Sequence, residues 1–581
     1  MADAWGQVTS MDLHLVIWPL RLMAMSIAVT WFVRTVRMHR RFVDQVSGTS
    51  SVRVELSTAR RLKDKATQEG ETVRFLPDDV GVSALYGQSL LDAAESAGVT
   101  LEAGCRMGVC GADPLAIIDG AGCLSAVSED EAKTLRRLGL ADNARLACCA
   151  RLEGGEVTVS LEVEKGSADS VPSMPVDPSI RSVVIIGNGI AGVTTADFVR
   201  RNHPDCEIHV VAREPHPLYN RMGISRVVYG RTAMQGLYLL DDDWYDEHRI
   251  TMWLNTQATA IVPSTRTVAL GSGPPLRYDR LVLAMGATGN VPALPGWGMP
   301  GTFVLREVQD AMGLRAYVQA NRVHSAVVAG AGLLGLEAAF ALRELGLGVV
   351  VLDRGGRLLA KQCDERASAL LHAYFERLGI RILPITEAAE VAGADRVEGV
   401  TLTSGITIEC GVFLVAAGNR PNVDLAVGTG IEVNRGVVVD HRMQTNVPGI
   451  YAVGDIAEHE GQMLGLWPIA TEQAEVAATN LLGGDEVYEH PTPAAILKGV
   501  GIDMTSVGRY IETDGDEVIA IEGPGTAYRK IVVRDGVALG GIVVGHPTLS
   551  PHLIKVCRTQ ADISAHRESL VTGDWTVLAR I

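Results

Sequence analysis

The chain has 581 residues, with 68 Asp and Glu against 52 Lys and Arg and a formal net charge of −16. That length exceeds one hydrophobic core and implies several domains. The acidic balance, with no basic tract beyond the N-terminal region, excludes nucleic acid as an expected partner. Five of the nine cysteines fall between Cys105 and Cys149, a spacing that reads as metal binding in a reducing compartment and not as a disulfide framework.

From Leu13 to Val33 run 21 mostly apolar residues, followed by Arg34, Arg37, His39, Arg40 and Arg41. The stretch is long enough to cross a bilayer, and its basic flank would leave the rest of the chain in the cytoplasm. Arg21 within it also suits a helix lying at the interface or docked on protein. Residues 1–50 are therefore expected to form an apolar helix with a basic flank.

Residues 51–163 read as a small α+β unit, with a strand at Thr72–Leu76, a helix at Ser89–Ala97 and a strand at Glu156–Val163. Between them lie Gly104-Cys105-Arg-Met-Gly-Val-Cys110-Gly-Ala-Asp113 and Arg145-Leu-Ala-Cys148-Cys149. These motifs resemble the plant-type [2Fe–2S] ferredoxins, a β-grasp fold, whose cluster is held by C-x4-C-x2-C and a distant fourth cysteine. The resemblance implies Cys105, Cys110 and Cys148 as ligands. At the third position stands Asp113, and three readings are open. Asp113 supplies a carboxylate oxygen to one iron, which would favour the ferric state and lower the potential; Cys149 or Cys123 substitutes; or the fold has lost its cluster. Residues 164–180 have the composition of a linker.

Two glycine-rich loops follow about 140 residues apart: Gly187-Asn-Gly189-Ile-Ala-Gly192 after Val183-Val-Ile-Ile186, and Gly330-Ala-Gly332-Leu-Leu-Gly335 after Ala326-Val-Val-Ala329. Each joins a β-branched run to a small-residue helix, the pattern of a dinucleotide-binding βαβ unit. After the first loop come a helix at Val193–Arg201 and a strand at Glu207–Val211 leading to Glu214, the expected acceptor for a ribose hydroxyl. After the second, the strand Gly348–Leu352 ends at Asp353. A carboxylate there favours the free 2′-hydroxyl of NADH over the 2′-phosphate of NADPH. Arg354 and Arg357 are close enough in sequence to leave NADPH as the lesser alternative.

From Arg181 to about residue 570 the chain resembles the two-dinucleotide flavoprotein reductases, most closely the rubredoxin and ferredoxin reductase branch that shares its flavin module with NAD(P)H nitrite reductase. The motifs carrying the resemblance are the two loops, Ala284-Met-Gly286-Ala-Thr-Gly289, Gly454-Asp455, Tyr219-Asn-Arg221 and Ile496-Leu-Lys498-Gly-Val-Gly501. It implies an α/β fold with two Rossmann-like domains, FAD at 181–300 and 431–485 and NAD at 301–430, and a C-terminal α+β interface domain at 486–581. It implies FAD contacts from Gly187, Gly189, Gly192, Glu214, Arg221, Ala284, Gly286, Gly454 and Asp455. Trp467, Glu472 and Gln473 are expected along the isoalloxazine and Lys498 near its face. The NAD residues are Gly330, Gly332, Gly335, Glu337 and Asp353, with Glu337 beside the nicotinamide.

No cysteine pair follows residue 180, and no sirohaem cysteine cluster is present, so disulfide and nitrite reduction are not expected. The expected activity is electron transfer from NADH through FAD to the cluster and on to an external protein or quinone, with no catalytic triad. The alternative is a flavin-dependent NADH oxidase or reductase whose ferredoxin-like domain serves docking or redox sensing.

Overall fold

A computed structural model describes residues 71–102, 104, 106–166, 174–523 and 525–581. The apolar stretch 13–33, Cys105 and residues 167–173 of the linker lie outside the described residues. Among the described residues no helix is long and apolar enough to cross a membrane.

The first unit is a five-stranded mixed sheet in the order Val80–Ala84, Glu71–Leu76, Val157–Ser160, Pro114–Asp119, Ala144–Leu146. Its first two strands form an antiparallel hairpin, and Glu71–Leu76 pairs parallel with Val157–Ser160. The helix Leu90–Ala97 covers the sheet, its start fixed by the Ser89 hydroxyl accepting from Asp92 N. Val73, Phe75, Leu90, Leu115, Leu146 and Val159 fill the space between them.

The two glycine loops belong to two parallel sheets of the same design. One runs Ile450–Ala452, Arg280–Leu283, Ser182–Ile186, Glu207–Val211, Ile250–Trp253. The other runs Thr302–Phe303, Val412–Val415, Ser325–Ala329, Gly348–Asp353, Ile380–Pro384. Val183 to Ile186 are buried throughout, as expected for strands covered on both faces. The second sheet is inserted into the first domain, and the antiparallel pair Ala287–Gly289 with Asn419–Pro421 makes the double crossing between them. Last comes an antiparallel sheet ordered Ala494–Leu497, Met504–Gly508, Val537–Val544, Tyr528–Arg534, Glu517–Glu522, with the helix Ser550–Arg558 against it.

The loops obey one steric rule. Gly187 and Gly330 have φ of 119° and 117°, and a Cβ on either would lie 2.1 or 2.4 Å from a carbonyl oxygen of the neighbouring strand's end, Ala284 or Ala416. Gly192 and Gly335 let the following helices press onto the loop itself, since a Cβ on either would stand 1.9 Å from the first glycine's carbonyl oxygen. Gly192→Ala should therefore destabilise the protein by about 1–3 kcal/mol, the cost of an overpacked methyl. A denaturant titration checks it, and an unchanged midpoint would show that the helix can withdraw freely.

Candidate functional site

The carboxyl ends of both parallel sheets open into one cavity of about 1370 Å³, lined by both glycine loops, Glu214, Gly286, Asp353 and Asp455 among others. Gly189 and Gly332 stand at the N-caps of the helices Ile190–Asn202 and Leu333–Glu344, and neither cap carries a side-chain hydrogen bond. A Cβ on either glycine would meet nothing within 4 Å. The first-turn N–H groups thus face open space, the condition for an anion such as a pyrophosphate to approach a helix N-terminus. Two such ends on one cavity fit two dinucleotides.

The acidic residues differ in state. Asp353 accepts from Gly355 N at 3.1 Å through Oδ1, while its Oδ2 is buried with no partner among the described residues. Burial raises its carboxyl above the ordinary range, with the Gly355 N–H working against that. A hydroxyl donor such as a ribose would supply the missing hydrogen bond. Glu214 is already engaged: it accepts from the Tyr219 hydroxyl at 2.7 Å and pairs with Arg221, whose guanidinium also donates to Tyr219 at 2.8 Å. Asp455 pairs with Arg306, which donates through Nε to Ala287 O at 3.1 Å. Arg306 was not singled out from the sequence, because no motif marks it. Its backbone N–H is held by Asp310, the third residue of the helix Val308–Asn321.

Trp467, Lys498 and Glu337 line the cavity, as do Ala284 and Arg221. Gln473 does not; it stands behind the wall and accepts from Gly454 N at 2.8 Å, holding that turn in place. Glu472 also lies outside the lining. Burial pushes its carboxyl up to about 7, opposed by Arg558 and Lys133. Burial likewise raises the thiols after residue 180, to about 11 for Cys206 and about 12 for Cys363, Cys410 and Cys557. Such thiols are poor nucleophiles at neutral pH.

The cysteine-bearing loop of the first unit is pressed against this cavity. Cys110, Asp113 and Cys148 are all buried, and Asp113 Oδ2 accepts from Cys148 N at 2.6 Å. Two thiols and a carboxylate form a donor set that suits iron. Cys149 Sγ lies 3.9 Å from Cys148 Sγ, whereas the Cys123 thiol faces Gly155. The carbonyl of Val109 accepts twice, from Trp467 Nε1 at 3.1 Å and Arg137 Nη2 at 2.9 Å. Met107 from the same loop lines the cavity, and a Cβ on Gly104 would meet Asn220 Nδ2 at 2.8 Å. Ion pairs ring the contact: Glu102–Arg226 at 3.0 Å, Lys133–Glu475 at 2.9 Å and Asp130–Arg558 at 3.8 Å.

The fold and cavity define a two-dinucleotide flavoprotein, and the comparisons agree. Residues 181–474 match the pyridine nucleotide-disulphide oxidoreductases, 493–561 the rubredoxin NAD+ reductase C-terminal domain, and 75–153 the 2Fe-2S iron-sulfur cluster binding domain. The chain belongs to the pyridine nucleotide-disulphide oxidoreductase family. It is 33% identical over 392 residues to the assimilatory nitrate reductase electron transfer subunit of Bacillus subtilis, covering 67% of this chain and 51% of the relative. It is 32% identical over 395 residues to the biphenyl dioxygenase system ferredoxin–NAD(+) reductase component of Paraburkholderia xenovorans, covering 67% and 91%. Against the crystal structure of a ferredoxin reductase from Rhodopseudomonas palustris the TM-score is 0.58 at 28% identity, covering 63% of this chain and 91% of that one. The chain spans about half the length of the nitrate and nitrite reductase proteins of Bacillus subtilis.

Trp467→Phe removes the indole donor while keeping an aromatic ring, so the Val109 loop should loosen by about 1 kcal/mol, the net worth of one hydrogen bond. Faster amide exchange confined to residues 106–113 is the expected outcome, and unchanged exchange would assign the docking to the ion pairs alone.

Proposed function

We propose that this protein oxidises NADH on FAD and delivers the electrons, through a [2Fe–2S] cluster in its own N-terminal unit, to an external protein or quinone acceptor. The observation that carries the reading is the hydrogen bond from Trp467 Nε1 to Val109 O, which ties the loop between Met107 and Cys110 to the wall of the dinucleotide cavity. FAD supplies hydride acceptance and single-electron release; the protein supplies position and a dry, charged surrounding. The residues proposed for FAD are the first glycine loop, Glu214, Arg221, Ala284, Gly286, Gly454, Asp455 and Lys498, with Gln473 supporting Gly454. Those proposed for NADH are the second loop, Glu337 and Asp353, and the unpartnered oxygen of Asp353 supports NADH over NADPH. Cys105, Cys110, Asp113 and Cys148 are proposed to hold the cluster. The contact between Asp113 and Cys148 N supports the carboxylate in the third ligand's place. A ferredoxin–NAD(+) reductase among the relatives supports an oxygenase or a second redox protein as the acceptor class. Residues 13–33 with their basic flank are proposed to hold the enzyme at the cytoplasmic face of a membrane.

The test is an anaerobic NADH titration with iron and sulfide analysis. Two irons per flavin, with cluster absorption bleaching after the flavin, are expected. Flavin reduction in a protein without iron would overturn the path and leave the N-terminal unit as a docking or sensing module. Asp113→Cys should raise the cluster's reduction potential and alter its electron paramagnetic resonance g-values, since thiolate replaces a harder oxygen donor. Identical spectra would remove Asp113 from the ligand set.

Glu337 adds a pH dependence. Burial pushes its carboxyl up to about 7, opposed by Lys498 and Arg226, so it is largely neutral below that pH and ionised above. An ionised carboxylate favours the cationic ring of NAD+ over neutral NADH. NAD+ binding should therefore tighten as pH rises from 6 to 8, by at most about tenfold per unit. Glu337→Gln should flatten the profile in a fluorescence binding titration, and an unflattened one would move the nicotinamide elsewhere.

A further inference from the structure

Apart from the residues that line the dinucleotide cavity, three metal-capable side chains converge. His459 ends the strand Ala457–His459, four residues after Asp455, and is buried; His490 lies on the connection that enters the C-terminal domain at Ala494. Their rings meet with His459 Nδ1 2.9 Å from His490 Nε2. Glu460 Oε2 lies 3.9 Å from the same His490 nitrogen, and one donor atom from each of the three falls within 4.8 Å of the others. None of the three lines the dinucleotide cavity.

Local chemistry brings them together. Glu460 and Gly461 turn the chain with φ of 48° and 74°, and His459 and Gln462 exchange backbone hydrogen bonds of 3.1 and 2.8 Å across the turn. Two consecutive positive φ values make a tight hairpin that sets Glu460 beside His459. The Tyr488 ring then meets both imidazoles edge-on, at 5.3 and 5.4 Å.

As a neutral pair the two imidazoles face each other through ring nitrogens. One ring must donate and the other accept across the 2.9 Å contact. A cation would instead take a lone pair from each facing nitrogen, leaving both rings neutral. Tetrahedral ligation at ~2.05 Å sets two nitrogens ~3.3 Å apart, so the rings would part by only a few tenths of an ångström. Two imidazoles and one carboxylate suit Zn²⁺ and the late first-row divalent ions, whereas Mg²⁺ and Ca²⁺ require oxygen donors.

We propose that His459, Glu460 and His490 bind one divalent transition-metal ion of the Zn²⁺ class, tying the strand that follows the Gly454-Asp455 turn to the connection into the C-terminal domain. The site has an open fourth position for water.

The test is equilibrium dialysis of the holoprotein against Zn²⁺, with zinc and iron quantified separately, repeated on His490→Ala and Glu460→Gln. The wild type should take up one Zn²⁺ per chain beyond its iron. His490→Ala should weaken this by roughly tenfold or more, and Glu460→Gln by a smaller factor. Both substitutions are outside the dinucleotide cavity, so flavin absorbance and thermal midpoint in metal-free buffer serve as folding controls. Cu²⁺ loaded in place of Zn²⁺ should show superhyperfine coupling to two nitrogens. No uptake by the wild type, or equal uptake by a folded His490→Ala, would overturn the proposal; the second result would place the ion on the cysteines.

Discussion

A dinucleotide's pyrophosphate can be held without a basic side chain only if bare backbone N–H groups reach it, and the rest of this molecule is arranged around meeting that condition twice. Each helix start must be uncapped, each loop must press against a neighbouring strand, and each following helix must lie on the loop. Gly187 and Gly330, with Cβ positions overlapping the carbonyls of Ala284 and Ala416, show how little room that leaves. Because both parallel sheets open at their carboxyl ends, inserting one domain into the other brings the two helix starts to a common cavity. The antiparallel crossing at Ala287–Gly289 and Asn419–Pro421 fixes their separation.

The N-terminal unit depends on that cavity in turn. Its loop meets a small apolar patch of Met222 and Trp467, where Val109 and Cys110 are covered along with Met107 and Ala112. Around the patch the contact is charged. Arg106 carries much of this, bonding Asp92 at 3.1 Å and approaching Asp503 of the C-terminal domain at 4.0 Å. Burial works against its charge, yet Asp503, Glu95 and Asp92 together hold the proton more firmly than usual. A single arginine thereby links the cluster-bearing unit to the domain that supplies Lys498.

The parts legible in the sequence were those written in consecutive residues. The glycine loops, Gly454-Asp455 and the Cys105–Asp113 spacing announce themselves within a dozen positions, and Glu214 and Asp353 follow their loops by about 20 residues, because tight turns, helix starts and single βα units are local events. What stayed hidden was pairing over long separations. Asp455 meets Arg306 across 149 residues, and Trp467 meets Val109 across 358. Gln473 is a subtler case. Family resemblance brought it to the isoalloxazine, but helical geometry turns its amide back onto Gly454 N, where it shapes the turn without entering the cavity. His459 and His490 look unremarkable apart because each is a lone histidine until the fold closes.

Carrying the cluster-bearing unit on the same chain changes what its interface must accomplish. Two separate redox proteins need enough contact to find one another at micromolar concentration. A tethered unit encounters its site at an effective concentration nearer millimolar, so a few hydrogen bonds and ion pairs suffice to seat it. The contact seen here has that character: one carbonyl accepting from the Trp467 indole, a handful of apolar side chains and a charged rim. Rim ion pairs contribute little stability each and weaken with salt. Such a surface seats the cysteine loop beside the dinucleotide cavity.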